Sequence, residues 1–191
     1  PKKAEKILFG GKEIPFGPQL LFVENQMANL IVSAEICEDV WVPCPPSISH
    51  AMAGATVIAN CSASDETTGK DAYRRSLICG QSARLVCGYI YANAGEGEST
   101  QDLVFGGQNI LAENGTCLME SRRFSNECIC ADMDLERIAA ERRRMTTFPP
   151  TTSIIKILQL RVVAIPTSMQ TLTLRSCSIR TTTVEICSNG A

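Results

Sequence analysis

The chain has 191 residues, of which 45% are hydrophobic and 20% are charged, and its net charge is −2. These proportions are typical of one soluble globular domain and exclude a disordered or fibrous chain. The near-neutral charge gives no indication of a nucleic-acid partner, and no segment approaches the about 18–20 apolar residues of a membrane span. We therefore expect neither nucleic acid nor a membrane as a partner.

The ten cysteines are predicted to be reduced thiols. No C-x-x-C motif is present and His50 is the only histidine, so no metal site is expected. Cys61, Cys79 and Cys87 fall within apolar patterns, where a free cysteine packs as a small hydrophobic side chain. The chain is also long enough to form a core without disulfides. These features predict a cytoplasmic protein.

Short strands are predicted at the start of the chain, in "KILF", in "KEIPF" after a Gly-Gly turn, and in "QLLFVEN" after a Gly-Pro turn. Because the chain enters a strand directly and lacks an initiator Met, we expect it to be N-terminally incomplete. The run "ANLIVSAEIC" has the length and β-branched content of a strand buried on both faces. A short helix follows in "PPSISHAMAGA", with Ser47 as its predicted N-cap and Gly54 near its end.

The middle of the chain alternates between strands and helices. A buried strand in "ATVIANCSAS" leads through a polar loop to a helical pattern over residues 71–87, and "GYIYANAG" is the next strand. A hairpin that turns at Asn114-Gly115 and a strand in "NECICADM" follow, and Asp134 is the predicted N-cap of a helix in "LERIAAERRRM". This order predicts a layered α/β domain with helices on the faces of a sheet.

Cys37 ends an apolar strand and is followed by polar residues, which places its thiol at the carboxyl edge of the predicted sheet. A cysteine at such an edge can attack a carbonyl carbon if its thiolate is favoured and if backbone N–H groups face the developing oxyanion. The alternative is a buried structural cysteine, which the spacing alone favours.

Longer motifs extend this interpretation. "EICEDVW", "AGATVIANCSASDETTGK", "YRRSLICGQSAR" and "GYIYANAGEGESTQDLVFGGQNILAENG" together resemble the glutaminase domain of glutamine-dependent NAD synthetases. These belong to the nitrilase, or carbon–nitrogen hydrolase, superfamily, and the resemblance runs from about residue 10 to residue 148. It implies an α/β fold, a nitrilase-like αββα sandwich, of which residues 1–148 would form the C-terminal part. It also implies a Glu-Lys-Cys catalytic set.

Cys37 matches the nucleophile of this family, which attacks the side-chain amide of glutamine, releases ammonia and leaves a γ-glutamyl thioester. The backbone N–H of Glu38 would form part of the oxyanion hole, and Ser64 and Lys70 match the glutamine-binding positions. Judged without the resemblance, Ser64 and Lys70 are ordinary loop residues. Trp41 and Glu38 are expected to shape the pocket. "GEGEST" lacks the G-K-[ST] ending of a phosphate loop, so nucleotide binding is not expected there.

The chain departs from the family in two ways. The family's general-base Glu and catalytic Lys precede the nucleophile by long stretches, whereas only 36 residues precede Cys37 here. Because proton transfer alone contributes about 10²–10⁴-fold, this chain by itself is predicted to be inactive or nearly so. Residues 149–191 also differ from the family, and a reading-frame shift near Pro149 or a linker is the predicted origin.

The resemblance predicts the glutaminase part of a glutamine-hydrolysing NAD(+) synthase, with glutamine as substrate and a homo-oligomeric assembly. No cofactor is expected in this domain, whereas ATP and Mg are expected for the ATP-dependent synthetase domain, which is absent here and would be its partner. Two alternatives stay open: another carbon–nitrogen hydrolase acting on a small amide, and a catalytically inert truncated scaffold. An incomplete sandwich would also expose sheet surface and favour self-association.

Overall fold

The computed structural model describes residues 5–98 and 102–148, and the backbone of three later strands at 156–160, 173–176 and 182–187. The described strands are β1 (Glu5–Phe9), β2 (Lys12–Phe16), β3 (Leu20–Glu24), β4 (Ile31–Ile36), β5 (Val57–Ser62), β6 (Gly88–Asn93), β7 (Ile110–Glu113), β8 (Thr116–Glu120), β9 (Cys128–Met133), β10 (Lys156–Leu160), β11 (Thr173–Ser176) and β12 (Thr182–Cys187). The described helices are α1 (Pro46–Met52), α2 (Lys70–Leu85) and α3 (Leu135–Arg144), with a 3₁₀ turn at Cys37–Trp41. None of the helices in these ranges has the length and apolar character needed to cross a bilayer.

A seven-stranded mixed sheet in the order β10-β3-β4-β5-β6-β7-β8 organises the fold. β4, β5 and β6 run parallel to one another, whereas β3–β4, β6–β7 and β7–β8 are antiparallel pairs. α2 makes the crossover between β5 and β6 that a parallel pair requires. The carboxyl ends of the three parallel strands therefore meet at one edge, and Cys37 follows directly after β4 at that edge.

Apolar side chains cover both faces of this sheet. On one face, residues of β5, β6 and β7 pack with residues of α1 and α2, among them Ile58, Tyr89, Ile110, Ala51, Ile78 and Leu85. On the other face, residues of the same strands pack with β9 and α3, among them Val57, Ile90, Leu111, Met133, Leu135 and Ile138. The predicted α/β fold, with a sheet flanked by helices, is confirmed.

β4 was expected to be buried on both faces, but it is buried on one face only. Ser33 and Glu35 are buried on the side that faces α1, whereas Ala34 and Ile36 are exposed, Ile36 to 68%. The buried polar groups are satisfied, since Ser33 Oγ donates to Leu20 O at 2.8 Å and Glu35 Oε2 accepts from the backbone. The prediction of burial on both faces was wrong for this strand, because the side that carries Ala34 and Ile36 is left exposed.

The predicted helix ends are partly confirmed. Asp134 caps α3, since its Oδ1 accepts the Arg137 N–H at 2.9 Å. Ser47 is not the N-cap of α1, because the helix begins at Pro46 and the Ser47 N–H donates to Glu35 Oε2 at 2.8 Å. A carboxylate from β4 thus takes the place of a local cap.

The predicted reversal at Asn114-Gly115 is confirmed, with φ values of 44° and 88° that match the tight turn of a two-residue hairpin. α2 ends at Leu85, two residues earlier than its pattern indicated, because Val86 adopts a left-handed φ of 46°.

The cysteines follow the prediction only in part. Cys87 is fully buried, but Cys61 is exposed, so its prediction as a packed core residue was wrong. The alternation of β5 directs Asn60 inward and Cys61 to the opposite face. Seven described cysteines are free thiols, whereas Cys128 is disulfide-bonded, which corrects the expectation of reduced thiols throughout.

Candidate functional site

Cys37 occupies an unusual backbone conformation at the edge of the sheet. Its φ is +51°, in the left-handed region that side chains other than glycine rarely adopt. The residue ends the straight course of β4 and begins the 3₁₀ turn Cys37–Trp41. The turn is held at its start by Asp39, whose Oδ2 accepts the Ile36 N–H at 2.8 Å. The predicted place of Cys37, at the carboxyl edge of the parallel strands, is confirmed.

A depression of about 440 Å³ opens at this edge. Its lining comes from the ends of β4, β5 and β6 and the segments after them, and consists of Ile36, Cys37, Cys61, Ser62, Ala63, Ala92, Asn93, Ala94, Gly95, Glu98 and Asn109. We call it the Cys37 cleft. Among these lining residues Glu98 is the only carboxylate, and none is a lysine, arginine or histidine. The surface is thus mostly small and uncharged around the two thiols of Cys37 and Cys61.

Glu38 follows Cys37 directly. It is the second residue of the 3₁₀ turn, and the first N–H groups of a helical turn have no acceptor within that turn. Its side chain is exposed and does not line the cleft. Any contact of Glu38 with a molecule in the cleft would therefore come from its backbone.

Ser64 lies behind the cleft. It is 6% exposed, and its N–H donates to Asn93 Oδ1 at 2.8 Å while Asn93 Nδ2 donates to its carbonyl at 3.1 Å. The hydroxyl accepts from Arg74 NH2 at 3.2 Å. Asn93 lines the cleft and Ser64 does not, so Ser64 is linked to the cleft through its hydrogen bonds with Asn93.

Lys70, at the start of α2, pairs with Asp65, and this hydrogen bond holds the pKa of the Asp65 carboxyl below its usual value. Its ammonium lies 5.8 Å from the centroid of the Trp41 ring. Trp41 in turn packs on Tyr73, with ring centroids 5.3 Å apart. Neither Lys70 nor Trp41 lines the cleft, so the structure brings Cys37 and Glu38 together but leaves Lys70 occupied by a partner of its own.

Sequence reasoning missed a set of buried polar residues in and behind the wall of the cleft: Glu35, Asn60, Arg74, Tyr89, Asn93 and Gln108, which are at most 6% exposed. Glu35, Asn60 and Asn93 sit at or within two residues of the ends of β4, β5 and β6. A polar residue at the inward position of an apolar strand was the available signal, because burial of such a group requires a hydrogen-bond partner.

Two tyrosines of β6 face this polar region. Burial and the nearby Glu35 carboxylate raise the pKa of Tyr89 strongly, so it remains a neutral hydroxyl. Burial also raises the pKa of Tyr91, and the negative charge of a Cys37 thiolate would add to that shift. Both rings are fully buried.

Comparison with known proteins gives relatives for most of the chain. A glutamine-dependent NAD(+) synthetase of Mycobacterium tuberculosis is 47% identical over 144 residues, which are 74% of this chain and 21% of that protein. The chain thus spans about a fifth of the length of the curated relatives it matches. No family model matches the sequence.

Two solved structures are similar to the chain, one of them from the same family as those relatives. The crystal structure of a glutamine-dependent NAD(+) synthetase from Cytophaga hutchinsonii superposes with a TM-score of 0.53 at 30% identity, over 64% of this chain and 18% of that one. Nit3 of Saccharomyces cerevisiae, a member of branch 10 of the nitrilase superfamily, superposes with a TM-score of 0.54 over 77% of this chain and 46% of that one. At 18% identity the second match shows the fold alone.

Proposed function

Because the chain belongs to the family of glutamine-dependent NAD(+) synthetases, we propose that it is part of the glutaminase unit of such an enzyme. The Cys37 thiolate attacks the side-chain amide carbon of glutamine and forms a C–S bond. The C–N bond then breaks, and nitrogen leaves as ammonia after taking a proton. Water hydrolyses the γ-glutamyl thioester to glutamate and restores the thiol.

One observation carries this proposal: Cys37 follows the central parallel strands in a left-handed conformation and lines the cleft at their carboxyl ends. Ligand sites of α/β proteins gather at that edge. We infer that the sharp turn directly after β4 presents the Cys37 side chain and the Glu38 N–H to the same space. A cysteine serving only to fill the core would need neither feature.

The other proposed site residues act around this centre. The Glu38 N–H donates to the oxyanion, a contact whose removal typically raises the barrier by about 2.7–4 kcal/mol. Ser64 supports the loop that follows β5, and Lys70 meets the α-carboxylate of glutamine. For this contact, the Lys70 ammonium must leave the Asp65 carboxylate and pair with the carboxylate of the substrate instead.

Ammonia released at Cys37 would supply an ATP-dependent synthetase unit that amidates deamido-NAD, with ATP and Mg bound in that unit. We propose a homo-oligomer for the intact enzyme. Since the described residues of the cleft lining include no lysine and, as a carboxylate, only Glu98, we expect the groups that activate the thiol to come from elsewhere in the enzyme. The 191-residue chain should then turn over glutamine slowly or not at all.

Covalent capture tests the proposal without requiring turnover. A chloroketone analogue of glutamine, in which CO–CH₂Cl replaces the carboxamide, alkylates a thiolate with loss of chloride. We expect capture at Cys37, protection by free glutamine, and loss of labelling in Cys37→Ala, all read by intact and peptide mass spectrometry.

Cys61 provides a matched control, because it lines the same cleft and is exposed. Cys61→Ala should leave capture unchanged. Equal labelling of Cys37 and Cys61, without protection by glutamine, would contradict a glutamine site. Absence of any labelling would favour an inert scaffold.

A second candidate is a carbon–nitrogen hydrolase acting on a small neutral amide. The small, uncharged lining at Ala63, Ala92, Ala94 and Gly95 favours it, as does the pairing of Lys70 with Asp65. Protection of Cys37 by propionamide but not by glutamine, at equal concentration, would reverse the ranking.

A further inference from the structure

Asn60 contacts both backbone groups of Cys37. The Cys37 N–H donates to Asn60 Oδ1 at 3.1 Å, and Asn60 Nδ2 lies 3.4 Å from the Cys37 carbonyl oxygen. A carboxamide has one acceptor end and one donor end, so only one orientation of the Asn60 side chain satisfies both contacts. The orientation of this amide is therefore determined by the backbone it holds.

A buried carboxylate reinforces that orientation from behind. Asn60 Nδ2 also donates to the Tyr89 hydroxyl at 3.4 Å, and that hydroxyl donates to Glu35 Oε1. Both Glu35 oxygens accept, Oε2 from the Ser47 N–H and Oε1 from the Tyr89 hydroxyl. The Tyr89 hydrogen therefore points to Glu35, and the Tyr89 oxygen is left to accept from Asn60. Glu35 thus fixes the orientation of the Tyr89 hydroxyl, and that hydroxyl in turn favours one orientation of the Asn60 amide.

These three side chains are at most 2% exposed. Water is not available to replace a lost partner, so a reversed hydroxyl or amide would leave a buried group unsatisfied. Glu35 is anchored as well, since its Oε2 accepts the Ser47 N–H at the first turn of α1. Glu35, Tyr89 and Asn60 form what we call the Asn60 network.

The network acts on a residue whose conformation needs support. A non-glycine residue at φ +51° is strained, and such strain persists where surrounding contacts over-determine it. Asn60 supplies a contact on each side of the Cys37 Cα, and Asp39 fixes the N–H of Ile36 just before it.

We propose that Asn60 is a positioning residue for the nucleophile, and that Glu35 orients it through Tyr89. The network holds Cys37 in the left-handed conformation and thereby directs its thiol and the Glu38 N–H into the Cys37 cleft. The inference rests on the proposed function in taking Cys37 as the nucleophile. It assigns a task to three residues that touch no substrate.

The test uses the 191-residue chain with Tyr89→Phe and Asn60→Ala. Two quantities are measured: hydrogen exchange of the Cys37 amide by NMR, and the rate of Cys37 capture by the chloroketone analogue of glutamine. Loss of one buried hydrogen bond typically changes an equilibrium about tenfold. We expect Cys37 amide exchange to accelerate, and capture to slow, by about tenfold in Tyr89→Phe and by more in Asn60→Ala.

Tyr91→Phe is the matched control. Tyr91 lies two residues further along β6 and is equally buried, and its hydroxyl faces Ser62 and Ser64, which are not members of the Asn60 network. Both quantities should stay within about twofold of the unmodified chain, since the same atom is removed outside the network. Amides elsewhere in β5 and β6 report whether a variant has lost its general fold.

Tyr89→Phe keeps the aromatic ring in the core and so provides the decisive variant if Asn60→Ala does not fold. Unchanged Cys37 amide exchange in folded Tyr89→Phe would overturn the proposal, as would equal acceleration throughout β5 and β6. Failure of the chloroketone to label the unmodified chain would contradict the proposed function instead. The amide exchange of Cys37 would still decide whether the network positions it.

Discussion

Arg74 and Glu66 form an ion pair inside the protein, with Arg74 NH1 donating to Glu66 Oε1 at 2.9 Å. The Arg74 side chain is 0% exposed and that of Glu66 is 7% exposed. Arg74 NH2 also donates to Ser64 Oγ and to the Asp65 carbonyl, both at 3.2 Å. The guanidinium therefore ties α2 to the loop that holds Ser64.

Replacement of Arg74 by Met should destabilise the chain strongly. Removal of Arg74 takes the closer ion-pair partner from Glu66, which keeps Arg123 at 3.6 Å. It also takes a donor from the Asp65 carbonyl. Loss of one partner of a buried pair costs about 3–5 kcal/mol in the free energy of unfolding, and we expect the lower end of that range. Urea denaturation followed by circular dichroism measures it.

Arg75→Met is the control, because Arg75 is the next residue on α2 and its side chain is 56% exposed, although that of its ion-pair partner Glu120 is only 17% exposed. Exposed pairs contribute about 0–1 kcal/mol. Similar losses for the two variants would show that burial of the Arg74 pair is not what stabilises the loop.

The order of strands and helices could be predicted from the sequence, because periodicity and turn residues are local signals. Asn114-Gly115 marked a hairpin and Asp134 a helix start, and both are confirmed. The one-sided burial of β4 could not be predicted in this way. Its covered side carries Ser33 and Glu35, whose partners come from distant parts of the chain.

Gly115→Ala should reduce stability. At Gly115, φ is +88°, and an added Cβ would lie 2.9 Å from the Ala83 Cβ. Left-handed strain at a non-glycine residue costs about 1–3 kcal/mol, and the close contact adds to it. Thermal unfolding should show a lower midpoint.

Gly80→Ala should instead increase stability, because Gly80 lies within α2 and an added Cβ would meet nothing within 4 Å. Alanine favours a helix over glycine by about 0.5–1 kcal/mol. A stability loss in Gly80→Ala would contradict this view of the exposed side of α2.

Stability should fall as the pH decreases below about 6.5 because of His50. Burial lowers the pKa of His50 from its ordinary value of 6.5, and its ring nitrogen Nε2 lies 2.9 Å from the Pro18 carbonyl. In this window the unfolded chain binds a proton that the folded chain does not, so acid favours unfolding. The stabilising contribution is complete above pH 6.5 and is lost toward the lower folded-state pKa.

Urea denaturation at several pH values between 5 and 8 measures this slope, and His50→Gln should remove it. The comparison is needed because Glu113 acts in the opposite sense: burial raises its pKa, so the folded chain takes up that proton first as the pH falls. An unchanged slope in His50→Gln would assign the pH dependence to other groups.

The position of Cys37 at the sheet edge could be predicted because a strand end is visible in the sequence. Its left-handed conformation and its contact with Asn60 could not, since both depend on the register that places Glu35 beside Asn60 in neighbouring strands. Ser64 and Lys70 were identified by resemblance alone. Their partners, Asn93 and Asp65, became evident only from the fold.

Lys70→Met should weaken the protection that glutamine gives Cys37 against chloroketone capture. If Lys70 meets the α-carboxylate, its loss removes a charge-assisted hydrogen bond of about 1.5–3 kcal/mol, and the protecting concentration should rise at least about tenfold. Lys70→Arg should retain most of the protection, since guanidinium also pairs with a carboxylate. Capture rates over a range of glutamine concentrations give these values.

Asp65→Asn tests the role of Lys70 by changing its ion-pair partner. Lys70 and Asp65 are paired without substrate, so glutamine must compete with Asp65 for the ammonium. Loss of the aspartate charge should therefore lower the protecting concentration, while Lys70→Met raises it. If both variants raise it equally, Lys70 serves to anchor the loop through Asp65, and the α-carboxylate is bound by other groups.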